Sequence, residues 1–127
     1  MIEEKNLKTS ASTDSVSFIS LGGLEDVTRN MYVYEYKDEI LLVDCGLGFP
    51  DETMLGVDLL LPDISYLLST KKRIVGMVLS HGHEDHIGGL PFILPQLPPF
   101  PIYGSPLTAA LSNEKMIQFS MNQRIQT

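Results

Sequence analysis

The chain has 127 residues, of which 43% are apolar and 20% charged, the composition of one small globular domain. Nine basic and sixteen acidic side chains give a net charge of −7. This charge excludes a basic nucleic-acid-binding surface. A polyanionic substrate would therefore need metal charge or residues outside this chain. The single cysteine, Cys45, excludes an internal disulfide, and the apolar runs are too short for a membrane span. We therefore expect a cytoplasmic protein without membrane attachment.

Periodicity and turn signals predict five strands and three helices. The expected strands are residues 15–21, 31–36, 39–45, 74–79 and 101–103. The expected helices are residues 63–70, 87–96 and 105–119. Polar residues 1–14 indicate a flexible N-terminal arm, which leaves residues 15–127 as the folded part. Because strands come first and then alternate with helices, the pattern indicates an α/β layer architecture.

The sequence also predicts how several of these elements are connected, buried and capped. The second and third strands are joined by the polar pair Lys37–Asp38, which predicts a hairpin. The third strand is apolar throughout residues 40–43 and is therefore expected to be buried on both faces. Residues 46–62 are expected to form a long functional or packed loop. The last helix is expected to begin with Ser105 as its N-cap and Pro106 in its first turn.

The chemistry is expected in one short segment, HGHEDH, at residues 81–86. It contains all three histidines of the chain, and it directly follows the fourth predicted strand and Ser80. Ligands bind α/β sheets at the carboxyl ends of strands, and imidazole and carboxylate are ligands that a Zn²⁺-like ion prefers. A lone histidine is more often an ordinary core residue, but three within six residues favour a metal site.

The spacing within this segment indicates two metal ions. His81 and His83 are two residues apart, so in an extended segment they project to one side and can share an ion. Asp85 and His86 are adjacent, so their side chains are expected to diverge and not to chelate one ion easily. We interpret the two pairs as ligands of two neighbouring ions, which in dinuclear hydrolases lie roughly 3.5–4 Å apart and clamp one hydroxide.

Three neighbouring residues have more than one interpretation. Asp44 closes the third strand, and it either caps the following turn or accepts a hydrogen bond from a ligand histidine. Glu84 lies between the ligands and is expected to be solvated or to support them rather than to be catalytic. Cys45 is expected to be a small buried apolar group, because no histidine is left to activate it as a nucleophile.

The segment HGHEDH matches the H-x-H-x-D-H signature of the metallo-β-lactamase fold superfamily. Further segments resemble the N-terminal part of the ribonuclease J family in the β-CASP group: NMYVYEY, LLVDCGLGFPDE, MLGVDLLLPD, LSHGHEDHIGGLP and PIYGSPLT. This resemblance implies the N-terminal part of an αββα sandwich, incomplete and truncated here, so the chain is expected to be a fragment. One departure is GGLEDVTRN, which places Glu25 and Asp26 where the family is richer in glycine.

The resemblance also implies a zinc-dependent ribonuclease with 5′-to-3′ exonuclease and endonuclease activity in RNA processing and decay, which cleaves phosphodiesters with a metal-bridging hydroxide. By the same resemblance His81 and His83 bind one zinc ion, and Asp85 and His86 bind the other. The resemblance further implies that Asp85 acts catalytically by orienting the hydroxide and that Asp44 supports the ligands. The implied partners are an RNA substrate and, in the full-length protein, further copies in a homodimer or homotetramer.

Two other functions stay open at this point. The motif does not determine which bond is cleaved, so a hydrolase of small esters, thioesters or lactams is one alternative. Four side chains divided between two ions leave each ion with too few ligands, so a non-catalytic metal-binding module is the other. For the same reason the chain alone is expected to have little or no nuclease activity. The longer matching segments favour the nuclease.

Overall fold

The computed structural model describes residues 14–127 and contains one mixed sheet in the order β1-β2-β3-β4-β5. The strands are β1 (Val16–Gly22), β2 (Met31–Tyr36), β3 (Glu39–Val43), β4 (Arg73–Val78) and β5 (Ile102–Tyr103). The first three are antiparallel neighbours, and β4 and β5 join them in parallel. The predicted α/β class is thereby confirmed. The arm predicted over residues 1–14 lies, except for Asp14, outside the described residues.

The predicted hairpin is present between β2 and β3. Tyr36 pairs with Glu39, and Lys37 in the turn between them has a φ of 53°, the left-handed conformation that such tight turns use. The long loop predicted over residues 46–62 is also present, and one isolated bridge between Gly48 and Leu60 closes it on itself. The strand signals therefore predicted local pairing correctly.

Helices cover one face of the sheet. They are α1 (Ser65–Ser69), α2 (Glu84–Ile87), α3 (Leu90–Ile93), a 3-10 turn (Leu94–Gln96) and α4 (Pro106–Gln118). The last helix begins as expected, because the Ser105 hydroxyl accepts a hydrogen bond from the Thr108 N–H at 3.3 Å. Among the described residues, no helix is both long enough and apolar enough to cross a bilayer.

The single helix predicted over residues 87–96 is wrong, because the chain divides into shorter pieces at Gly88–Gly89. The carbonyl oxygen of His86, which would accept the first hydrogen bond of a helix over residues 87–96, instead accepts from the N–H of Cys45 at 2.8 Å, and the N–H of Gly89 donates to the carbonyl oxygen of Cys45 at 2.8 Å. A Cβ on Gly89 would lie 2.6 Å from the carbonyl oxygen of Gly46, so only glycine permits this approach. A long-range contact therefore replaces the hydrogen bond that would have continued the helix.

The expectation that β3 is buried on both faces is wrong for the described part of the chain. Ile40 and Leu42 face the helices and are fully buried, whereas Leu41 points to the other face and is 38% exposed. Further exposed apolar side chains are Val16, Phe18, Tyr34, Tyr36, Val78 and Tyr103. Continuous apolarity predicted two covered faces, but only one face of the described sheet has helices packed on it.

One buried carboxylate, Glu35 of β2, ties the sheet to the region around α1. Its Oε2 accepts a hydrogen bond from Lys72 Nζ at 2.7 Å, and its Oε1 accepts one from the Tyr66 hydroxyl. Burial by itself raises the pKa of Glu35, but the hydrogen bonds from Lys72 and Tyr66 outweigh it and hold that pKa below its ordinary value. The ion pair therefore stabilises the fold in a pH-dependent way.

We expect Glu35→Gln to lower the free energy of unfolding by about 1–3 kcal/mol near neutral pH, because Lys72 loses its charged partner. A carboxyl whose pKa is lower in the folded state stabilises the fold above its unfolded-state pKa, and this contribution is lost as pH falls through the folded-state pKa. Urea unfolding should therefore show a difference between the two proteins that shrinks below about pH 4.5. The control is Glu39→Gln, which alters the exposed pair with Arg73 and should change stability little. A Glu35→Gln effect that is constant with pH would contradict the assignment.

Candidate metal centre

The HGHEDH segment leaves the carboxyl end of β4 and passes into α2. Ligand atoms of His81, Asp85 and His86 lie within 4.8 Å of one another. The ring of His83 lies beside them, with its centroid 4.7 Å from that of His81, but it is not one of those three groups. The four residues singled out by the sequence are thus neighbours, and three of them converge.

The expectation that the side chains of Asp85 and His86 diverge is wrong. Asp85 Oδ2 and His86 Nε2 are 3.4 Å apart. Both residues lie in α2, where successive side chains are about 100° apart around the helix axis instead of on opposite sides as in a strand. The ring of His86 also lies 3.9 Å, centroid to centroid, from that of His81. The ligands therefore do not separate into two distant pairs.

Asp44 lies buried beneath the ligands, directly after β3. Its Oδ2 is 2.7 Å from Nδ1 of His86, and its Oδ1 accepts a hydrogen bond from the N–H of Ser80 at 2.7 Å. An ionised carboxylate accepts hydrogen bonds, so this contact favours a proton on Nδ1 of His86 and a free lone pair on Nε2, the atom that approaches Asp85. Of the two interpretations open for Asp44, the hydrogen bond to a histidine is the contact that is present.

Residues 45–47 are held by backbone contacts against the HGHEDH segment and the two glycines that follow it. Three hydrogen bonds of 2.8–3.0 Å join them to residues 84–89. Gly46 is at the closest approach, since a Cβ there would lie 1.8 Å from the carbonyl oxygen of Asp85. No larger residue fits without moving the main chain that carries Asp85.

Asn30, directly before β2, is a supporting residue that the sequence analysis missed. Its backbone N–H and its side-chain Nδ2 each donate to the carbonyl oxygen of Asp85 at 3.0 Å. Its own carbonyl oxygen accepts from the N–H of Gly46 at 2.8 Å, and its Oδ1 accepts from the Tyr32 hydroxyl at 2.8 Å. Asn30 therefore fixes the main chain at Asp85. Its position before a strand is the one local signal, and nothing in the spacing relates it to Asp85.

Two other residues next to the ligands are held in other interactions. Cys45 is fully buried, and this burial, together with the neighbouring charge of Asp44, raises the pKa of its thiol. The expectation that Cys45 is a buried apolar group is confirmed. Glu84 Oε1 accepts a hydrogen bond from Lys115 Nζ at 2.8 Å, which links α2 to α4. Cys45 is therefore part of the core, and Glu84 lies in an ion pair between two helices.

The donor set fits a divalent transition metal ion. Imidazole nitrogen and carboxylate oxygen are typical zinc ligands, and tetrahedral bonds of about 2.1 Å place neighbouring ligand atoms about 3.4 Å apart. That spacing matches the 3.4 Å between Asp85 Oδ2 and His86 Nε2. A ligand atom of His81 lies within 4.8 Å of these two, and the ring of His83 lies close enough to that of His81 for both to share a neighbouring ion.

Residues 24–125 match the family described as the metallo-beta-lactamase superfamily. Among curated proteins, Ribonuclease J of Thermus thermophilus is 47% identical over 112 residues, which cover 85% of this chain and 20% of that protein. Ribonuclease J 1 of Streptococcus pyogenes is 44% identical over 107 residues, which cover 84% of this chain and 19% of that protein. The chain thus spans about one fifth of the length of these relatives.

A solved structure, that of the short form of human tRNase Z, is similar with a TM-score of 0.50 and 22% sequence identity. The match covers 87% of this chain and 42% of that one. At this identity the likeness concerns the fold alone. The sheet and helices described above therefore resemble part of the fold of that protein.

We expect Asn30→Ala to weaken Zn²⁺ binding by about tenfold, because residues that support metal ligands typically change affinity by about 10–100-fold. The dissociation constant is measured by competition with a chelating dye, alongside urea unfolding. The matched control is Asn113→Ala, which removes a comparable bridge from a side chain to the backbone of Ile125. The control should lose about 1 kcal/mol of stability and keep its affinity. Equal losses of affinity in both variants would show that Asn30 acts only through global stability.

Proposed function

The chain belongs to the metallo-beta-lactamase superfamily, and on this basis we propose that it carries the metal centre of a hydrolase that cleaves RNA phosphodiester bonds. The observation that supports this most directly is the convergence of His81, Asp85 and His86 at the end of β4. The choice of RNA is supported by curated relatives that are 41–47% identical and are named Ribonuclease J.

We propose two zinc ions as the cofactor, with His81 and His83 at one and Asp85 and His86 at the other. The close approach of Asp85 and His86 supports the second pair, and the adjacent rings of His81 and His83 support the first. Divalent ions bound there would supply positive charge that polarises the phosphodiester and lowers the pKa of bound water to about 7. Asp85 is proposed as the catalytic residue, because a carboxylate at this place can orient the attacking water by accepting its hydrogen bond.

The chain's own charge affects how RNA is held. A net charge of −7 opposes a polyanion, since RNA affinity normally depends on neutralising phosphates with lysine and arginine. We therefore propose that RNA phosphates are contacted by the metal ions and by parts of the protein outside these 127 residues. The full protein is proposed to act in the cytoplasm as a homodimer or homotetramer, with 5′-to-3′ exonuclease and endonuclease activity in RNA processing and decay.

The two alternatives are less well supported. Superfamily membership does not determine the bond that is cleaved, so it is compatible with a hydrolase of small esters, thioesters or lactams. The relatives named Ribonuclease J favour the nuclease over that alternative. A non-catalytic metal-binding module would keep the ligands and their supporting contacts without turnover, so activity measurements separate it from both enzymes.

The decisive measurement is hydrolysis of 5′-monophosphorylated RNA with added Zn²⁺. We expect little turnover by the chain alone, because its four ligand side chains do not satisfy two ions. We expect chelator-sensitive cleavage by a chimera in which this chain replaces the matching 112 residues of the Thermus thermophilus Ribonuclease J. In that chimera Asp85→Asn should lower kcat by about 10²–10³-fold, and Glu84→Gln, at the exposed neighbouring position, should have little effect.

Other outcomes would favour the alternatives. A chimera that binds metal and hydrolyses an ester, thioester or lactam but not RNA would support the small-molecule hydrolase. A stoichiometric zinc complex with no turnover of either substrate class would support the metal-binding module. Efficient RNA cleavage by the chain alone would show that its ligand set is sufficient and would contradict the expected dependence on further ligands.

A further inference from the structure

Ser80, at the carboxyl end of β4, lies between Asp44 and the ligand histidines. Its hydroxyl oxygen is 2.7 Å from Oδ2 of Asp44, 3.0 Å from Nδ1 of His81 and 3.4 Å from Nδ1 of His86. A serine hydroxyl has one proton to donate and two lone pairs that accept. These contacts therefore cannot all be of the same kind, and their directions can be derived by counting protons.

Asp44 acts as an acceptor in these contacts. Its two carboxylate oxygens face three groups that can donate hydrogen bonds, the N–H and the hydroxyl of Ser80 and the Nδ1 of His86. Such donors stabilise an ionised carboxylate. An ionised carboxylate has no proton to give, so the Ser80 hydroxyl donates to Asp44. Its remaining lone pairs can only accept, and the neighbouring Nδ1 of His81 must then be the donor.

This direction fixes which nitrogen of His81 is free. With the proton on Nδ1, the Nε2 atom of the neutral ring keeps its lone pair, which is the form that binds a metal ion. His86 is fixed in the same way, but by direct contact between its Nδ1 and Asp44 at 2.7 Å. Among the described residues, the Ser80 hydroxyl is the only hydrogen-bond partner of the His81 ring.

We propose that Ser80 is a positioning residue that extends the effect of Asp44 to His81, so that one buried carboxylate sets the tautomer and ring orientation of two metal ligands. The hydrogen bonds from His81 through the Ser80 hydroxyl to Asp44 form a relay, and its use in metal binding rests on the proposed function. The tautomer of His81 is a property of the metal-free chain. The rings of His81 and His86 lie only 3.9 Å apart, so a rotation of His81 would also disturb His86.

The test compares Ser80→Ala with Ser80→Thr, which keeps a hydroxyl at the same position. Ser80→Ala retains the backbone N–H that donates to Asp44, so it removes the relay alone. The matched control is Ser112→Ala, because Ser112 is a buried serine of α4 whose hydroxyl has no hydrogen-bond partner among the described residues. Backbone amide spectra of all variants establish that each is folded.

The first readout is the ¹⁵N chemical shifts of the His81 ring in the metal-free chain, recorded where the ring is neutral. We expect the Nδ1–H tautomer in the unmodified chain, in Ser80→Thr and in Ser112→Ala, and a mixture of tautomers in Ser80→Ala. The Nε2–H tautomer in the unmodified chain, or an unchanged tautomer in Ser80→Ala, would overturn the proposal.

The second readout is Zn²⁺ affinity, which we expect Ser80→Ala to weaken by about tenfold, with Ser80→Thr and Ser112→Ala close to the unmodified chain. An unchanged affinity in Ser80→Ala would show that the relay has no role in metal binding. The proposed nuclease function and the proposed role of Ser80 can be contradicted independently of each other. A chimera without RNA cleavage but with the expected tautomer change would contradict the nuclease function and leave the role of Ser80 supported.

Discussion

The buried carboxylate of Asp44 is the interaction on which the geometry of the centre depends. It follows β3, accepts hydrogen bonds from the end of β4 through Ser80, and contacts the ring of His86 in α2. Three elements that are distant in sequence are thereby fixed to one group. Asp44 itself has a φ of 63°, a left-handed conformation that aspartate tolerates better than most residues. This backbone strain occurs where the main chain turns to place the carboxylate beneath the histidines.

In the HGHEDH segment, hydrogen bonds that would continue α2 are exchanged for long-range ones, and these hold its main chain. In a continuous helix the carbonyl oxygen of Asp85 would accept from Gly89, but here it accepts from Asn30, and Gly89 donates to Cys45. The exchange limits α2 to a single turn and docks it against residues 45–47. It also explains why the glycines at 46 and 89 have no space for a Cβ. The same contacts that interrupt the helix therefore hold the segment in which Asp85 Oδ2 and His86 Nε2 lie 3.4 Å apart.

These features also explain what could be predicted from the sequence. The strands, the hairpin and the cap at Ser105 depend on local periodicity and turn chemistry, so they were predictable. The helix over residues 87–96 was not, because long-range hydrogen bonds to Cys45 compete with its local pattern. Asn30 could not be predicted for the same reason, since its partner Asp85 is 55 positions away in the sequence. The divergence expected for Asp85 and His86 from their adjacency is wrong because both lie in α2, where neighbouring side chains are about 100° apart around the axis.

The ligands and their supporting residues have different origins in the chain. His81, Asp85 and His86 lie within one six-residue segment, so bringing them together costs little loop-closure entropy. Their orientation depends instead on residues 30, 44 and 46, which reach them through the folded sheet. A peptide with the HGHEDH sequence alone would keep the donor atoms and lose the tautomer and main-chain constraints. Metal affinity above that of such a peptide is therefore the property that reports on the fold itself, independently of any RNA substrate.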